Sequence, residues 1–303
     1  MCALLAPIGT SRRAQLRGLA AVALALALGP GCRASIPSFL DQIRDARQLT
    51  AGLRVRFKEA TDAANLAVMA DSDEASLKYA ADAASAKRDL RTDATNLKTL
   101  LHELGYPKEL GFFAQFETRF AEYDQVDRTV LELAVENTNL KAQRLSFGPV
   151  RDAADAFRAS LEGAAAKVAT KDRCRATELI YQAVLAVREI QVLQAPHIAE
   201  TDELAMTRME KDLAALEAKA RSALGELRGL AGPSPSSSLE AAGAALDRFS
   251  SAGAALVKLS RRNSNVRSLD LALRVKPRLT QACDDSLKAL ADALEGEGAP
   301  PAR

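Results

Sequence analysis

Residues 131–145 read LELAVENTNLKAQRL, and residues 257–271 read VKLSRRNSNVRSLDL. On one shared offset Asn137 falls on Asn263, Asn139 on Asn265, Lys141 on Arg267 and Leu145 on Leu271. The same offset carries Phe120 onto Leu246, Tyr123 onto Phe249, Val130 onto Leu256 and Leu161 onto Leu287. A phase held over that distance indicates duplication of a whole unit, and a repeat governs every later step of the fold argument. Asn tolerates the left-handed conformation that ends helices, while Thr and Ser are good N-caps. Asn137, Thr138 and Asn139 therefore read as a tight turn between helices, and Asn263, Ser264 and Asn265 as its copy.

Composition agrees with a helical chain. Its 48% hydrophobic content is dominated by Ala and Leu, aromatics are 4%, and Trp is absent. Ala and Leu favour helix, whereas β-branched and aromatic residues favour strand, so almost no sheet is expected. Forty-one basic and 39 acidic residues nearly cancel. No basic field is left to attract nucleic acid.

The N-terminus reads as an export address. Arg12, Arg13 and Arg17 precede the apolar run LAAVALALAL at residues 19–28, and Gly29, Pro30, Gly31 and Cys32 follow. A basic stretch, about ten apolar residues and then small residues is the layout of a bacterial signal, too short for a comfortable span. Cys32 at the end of the run points to lipidation there. A cleaved secretory signal, an uncleaved anchor and a twin-arginine variant remain open. On each reading residues 1–32 are the signal and the mature chain works outside the cytoplasm, in the periplasm.

The first module is expected over residues 33–169. Helices are drawn at about 37–70, from Asp71 to Leu104 with Asp71 and Glu74 as a capping box, at about 109–136, and on to about 168. The last of these carries a seam of Leu140, Phe147, Val150, Ala154, Phe157 and Leu161 that passes Pro149 without losing phase, so the Pro should kink this helix and not end it. The second module, residues 170–297, repeats the layout with helices at about 173–195, 202–230, 239–262 and 264–296. Its final seam runs Val266, Leu269, Leu273, Lys276, Thr280, Cys283, Leu287, Leu290 and Leu294, with Lys276 the charged exception beside Pro277. The join from Ala164 to Ala176 holds no Gly or Pro, which leaves the fourth and fifth helices free to run together. Residues 298–303 read as a disordered tail. The fold expected is all-α, two tandem antiparallel four-helix bundles. The alternative keeps the helices unbroken through Asn137 and Asn263, giving one elongated bundle of about six long helices.

A helix hairpin, a Gly/Pro loop, an aromatic-seamed third helix, a short polar turn and an Ala-rich fourth helix resemble the four-helix-bundle sensor domain of methyl-accepting chemotaxis receptors. The residues that carry the likeness are 133–142 and 259–268, within two copies covering about residues 36–296. The resemblance implies a sensor that binds ligands between helices of a bundle or of a dimer. It brings no ligand-contact residue with it, and neither methylation nor kinase control.

Candidate chemistry is sparse. His102 and His197 each stand near a helix end, with no nucleophile motif beside them, and read as capping or solvated residues. No metal-ligand spacing and no phosphate-binding loop occurs, so no metal and no cofactor is expected. Cys174 and Cys283 lie at unequal heights on their helices, which disfavours a bond between them. Lys276 and Gln143 are polar residues on or beside seams, and Lys276 leaves room for a small acidic ligand. The functional expectation is a non-catalytic extracytoplasmic sensor-like bundle, not an enzyme. It would be membrane-anchored through lipid and bind a small molecule or a partner receptor, or pair as a homodimer. The alternative is a structural or adhesive helical spacer without ligand.

Overall fold

The computed structural model describes residues 39–165, 169–232 and 236–296. Cys32 and the rest of the export segment lie outside these residues, as does the tail at 298–303. Among the described residues there is no strand, and the fold is all-α. The helices are α1 (Phe39–Met69), α2 (Asp73–Leu104), α3 (Pro107–Glu136), α4 (Thr138–Leu145), α5 (Arg151–Ala165), α6 (Arg173–Ala199), α7 (Glu203–Ala231), α8 (Ser237–Arg262), α9 (Ser264–Asp270) and α10 (Lys276–Gly296). The described residues cluster as one compact unit.

Local chemistry sets the helix ends. Ser72 caps α2, its Oγ accepting from the Ala75 N–H at 3.1 Å, where the sequence had suggested Asp71. Gly105 closes α2 in the left-handed region at φ 69°, its N–H returning to the His102 carbonyl. Pro107 then opens α3 at a position whose N–H has no intrahelical partner anyway. Pro196 does not end α6, which continues to Ala199 because His197 and Ile198 are drawn into the interior. The fourth and fifth helices do not fuse as one rod. A 3₁₀ turn at Thr170–Asp172 precedes α6.

The long helices gather around two cores, and neither has the membership expected of a sequential four-helix module. One core joins Leu53 and Phe57 of α1, Leu90 and Leu97 of α2, and Phe116 and Tyr123 of α3 to Cys283 and Leu287 of α10. The other joins Phe157 and Leu161 of α5 to Ile190 of α6, Leu224 of α7, and Leu246 and Phe249 of α8. Each module has given its last helix to the other. The boundaries 33–169 and 170–297 therefore do not separate two packing units. The physical reason lies at the Asn turns. Asn137 and Asn263 are left-handed, at φ 50° and 52°, so the helices break there as the sequence suggests. The chain does not fold back, however. α3 packs against α10 and α8 against α5, so each broken helix runs on from one bundle into the next. The arrangement is closest to the six-rod alternative, with two of the rods interrupted at their middles.

Both crossing rods contain a π-helical turn, at Ser146–Val150 around Pro149 and at Leu271–Val275 before Pro277. The wider turn absorbs the proline's missing N–H and its ring without ending the helix. It also adds a residue to the turn, which rotates the buried line. The expected seams consequently fail on one side of it. Phe147 is 69% exposed, Leu273 67%, and Leu269 is exposed too. The buried positions there are Ser264 and Ser268, and the expected seam resumes at Lys276.

Candidate functional site

Polar side chains gather in three regions: the crossing of the rods, a charged level in the first core, and the corresponding level in the second.

At the crossing, the two repeats bind each other reciprocally. The Thr138 N–H donates to Ser264 Oγ at 3.1 Å, and the Ser264 N–H to Thr138 Oγ1 at 2.9 Å. The Asn139 N–H donates to Asn265 Oδ1 and the Asn265 N–H to Asn139 Oδ1, both at 3.1 Å. Asn139 Nδ2 reaches Asn263 Oδ1, and Asn265 Nδ2 reaches Asn137 Oδ1, each at 2.8 Å. Asn137 Nδ2 also donates to Ser76 Oγ. These orphan N–H groups at the starts of α4 and α9 are thus satisfied by the other repeat, not by a ligand. Glu136 and Arg262 close the edge at 2.7 Å, and that guanidinium holds the Glu136 carboxyl below its usual range. A surface depression of about 640 Å³ beside Arg261, Arg267 and Leu273 lies over this knot.

In the first core, Asp127 is 0% exposed and Lys276 2%. Lys276 Nζ lies 2.7 Å from Asp127 Oδ1, and Lys87 Nζ lies 2.8 Å from Asp127 Oδ2 and 3.0 Å from Asp124. Tyr123 Oη donates to Asp127, and Arg91 and Arg128 reach Asp124 from the surface. Burial drives the Lys276 ammonium below its ordinary pKa, with Asp127 opposing. Burial raises Asp124, yet Lys87 and the two arginines outweigh it and leave the carboxyl low. Burial also pushes the Tyr123 hydroxyl upward. The acidic partner that the sequence left open for Lys276 is therefore Asp127 of its own chain.

The second core differs at this level. The repeat offset places Gly253 where Asp127 stands, Ser250 where Asp124 stands, Phe249 where Tyr123 stands and Val150 where Lys276 stands. With both charges replaced by small residues, the level opens into a groove of about 320 Å³ between α6, α7 and α8. Ile190, Leu213, Phe249 and Val257 make its apolar surface, with Gln194, Glu210, Glu217 and Ser250 as polar lining. Gly253 is an ordinary helical residue, and an added Cβ would meet nothing within 4 Å. Gln194 is 2% exposed; its Oε1 accepts from Ser146 Oγ at 2.7 Å, and its amide nitrogen has no protein partner among the described residues. Ser250 Oγ donates to Glu217 Oε1 at 2.8 Å, and Arg221 holds Glu217 from outside at 2.9 Å.

His197 lies at one end of this region. Its Nδ1 is 2.8 Å from Ser260 Oγ and its Nε2 is 3.1 Å from Glu210 Oε1. A hydroxyl, an imidazole and a carboxylate in line are the parts of a hydrolytic triad. Here the hydroxyl proton goes to the His197 carbonyl at 2.7 Å, and Ser260 and His197 are fully buried. Arg261 also clamps Glu210 at 2.6 Å and lowers its pKa. The line serves as a tie between α6, α7 and α8. The exposed His102 stands in the last turn of α2, where its carbonyl accepts the Gly105 N–H.

Gln143 is exposed on α4. Cys174 is exposed on α6 and Cys283 is buried in the first core, both as free thiols, and burial raises the Cys283 thiol to about 12. Sequence reasoning missed the groove, although a mid-helix Gly253 aligned with Asp127 was a usable signal. Among the described residues no helix is long and apolar enough to cross a membrane, and no cluster of His, Cys, Asp or Glu suits a metal ion. Comparison with family models, with curated proteins and with solved structures finds no match.

Proposed function

We propose that this chain is a non-catalytic, sensor-like helical protein that binds a small molecule and works outside the cytoplasm, held at a membrane by lipid on Cys32. The observation that carries the reading is the unequal treatment of one level in two related bundles. The first is closed by buried ions, while the second leaves an open, mostly apolar groove lined by the Gln194 amide. A mid-helix glycine costs about 0.5–1 kcal/mol relative to alanine. Here no close approach requires it. Space kept at such a cost fits a role in binding. Ligand sites lie preferentially between helices of bundles and are mostly apolar with a few placed polar groups. The Ser260–His197–Glu210 tie supports the non-catalytic part, because its hydroxyl is committed to backbone.

A melting screen against a metabolite library tests the reading. A ligand bound at one hundred times its Kd stabilises the folded state by about 2.7 kcal/mol. The expected result is a raised Tm for one chemical class. No shift across the library would favour a spacer without ligand. Labelling with radioactive palmitate, lost in Cys32→Ser, tests the anchor.

A further inference from the structure

We propose that the groove between α6, α7 and α8 is a site for an organic cation with an apolar body, such as a hydrophobic amine. This rests on the ligand-binding reading above and names the place and chemistry of that binding. The charged side chains lining the groove are Glu210 and Glu217, with no lysine or arginine among them. Behind them, each guanidinium is shared by two carboxylates. Arg221 sits between Glu217 and Asp247, and Arg261 between Glu203 and Glu210. The rim is therefore negative after its own ion pairs are counted.

Glu210 has both oxygens bound by Arg261. Glu217 uses Oε1 for Arg221 and Ser250 and leaves Oε2 without a protein partner. A ligand ammonium completes Glu217, its apolar body covers Ile190, Leu213 and Phe249, and an acceptor on the ligand meets the Gln194 amide. The attraction is strengthened because the apolar floor lowers the local dielectric. The volume, near the lower end of known ligand pockets, limits the body to about one ring with a short chain. The equivalent level of the first core offers no such place. Asp127 and Lys276 already hold each other where a ligand would enter the first core.

The test uses the full chain and three probes of one body: 4-phenylbutylammonium, 4-phenylbutanol and 4-phenylbutyrate, followed by calorimetric titration. The ammonium should bind at least tenfold more tightly than the alcohol, and the carboxylate more weakly than both. Glu217→Gln should bring the ammonium down to the affinity of the alcohol. Gly253→Leu, which fills the groove where nothing lies within 4 Å, should abolish binding of all three without lowering Tm. Equal affinity for ammonium and alcohol overturns the charge assignment. Binding that survives Gly253→Leu overturns the location. If no probe binds while another compound in the library raises Tm and Gly253→Leu leaves that shift intact, the inference fails and the ligand-binding reading stands. If no compound of any class raises Tm, both fail.

Discussion

At the level of Asp127 the first bundle is packed with ions, and at the level of Gly253 the second is open. The helices around both levels occupy equivalent places in the sequence repeat, yet the chemistry they carry is reversed. The pairing of changes is instructive. Asp127 and Lys276 face each other in one core, and Gly253 and Val150, their repeat equivalents, have both lost charge in the other. One substitution alone would have stranded an ion in a core, which costs several kcal/mol. Removing both is tolerable. The α2 residues that meet Asp124 are Lys87 and Arg91, whereas the α7 residues that meet Ser250 are Glu217 and Arg221. The acid has moved from α3 to α7, and with it the sign of what the level presents.

The largest test of this contrast is Asp127→Ala. It leaves Lys87 and Lys276 buried without their shared partner and should cost about 3–5 kcal/mol in urea unfolding. A loss below about 1 kcal/mol would mean the ions are solvated and the contrast is superficial. Next come Asn137→Pro and Asn263→Pro. Proline cannot adopt positive φ, so each should cost about 3 kcal/mol or more and with similar severity, since the crossing is shared equally. Asn137→Gly keeps the backbone but strips the bonds to Ser76 and Asn265, for an expected loss of about 1–3 kcal/mol. An Asn137→Gly protein as stable as the parent would show that the knot contributes only its backbone shape. At the position equivalent to Asp127, Gly253→Ala should have the opposite sign to Asp127→Ala, raising stability by about 0.5–1 kcal/mol.

The smallest effect is acid sensitivity. Arg261 holds Glu210 below its ordinary 4.5, and Lys87 with Arg128 and Arg91 holds Asp124 below 3.8 against its burial. The unfolded chain then binds protons first as pH falls, so the stability these pairs give is present above those values and fades below them. Thermal melts from pH 6 to pH 3 should show the decline, and Glu210→Gln should flatten the part owed to the second bundle. An identical slope in Glu210→Gln would remove that carboxyl from the account.

Much of this was legible in residues 131–145 and 257–271. The repeat, the helix breaks at both Asn positions and the all-helical content follow from local propensity, which acts within a few residues. The exchange of last helices was not legible. α5 and α10 carry equivalent seams because they are copies, and periodicity says which face a helix buries without saying against whom. The exposure of Phe147 and Leu273 was hidden for another reason. A π turn keeps a helical pattern readable on each side while shifting its phase between them. Lys276 was seen as an exception on a seam, but its counterion is supplied by α3, far away in sequence. The groove left the faintest trace, since a cavity is written as an absence of side chain.

The exchange also imposes an order on assembly. Arg47, near the start of the first core, is tied through its guanidinium to the carbonyl of Leu294, 247 residues further along. In a chain that emerges N-terminus first, α1, α2 and α3 have only three walls of their enclosure and must wait with Phe57 and Phe120 unshielded for the final segment to arrive. The second bundle, complete once α8 is made, can mature first, so the half translated earlier is the half that closes last.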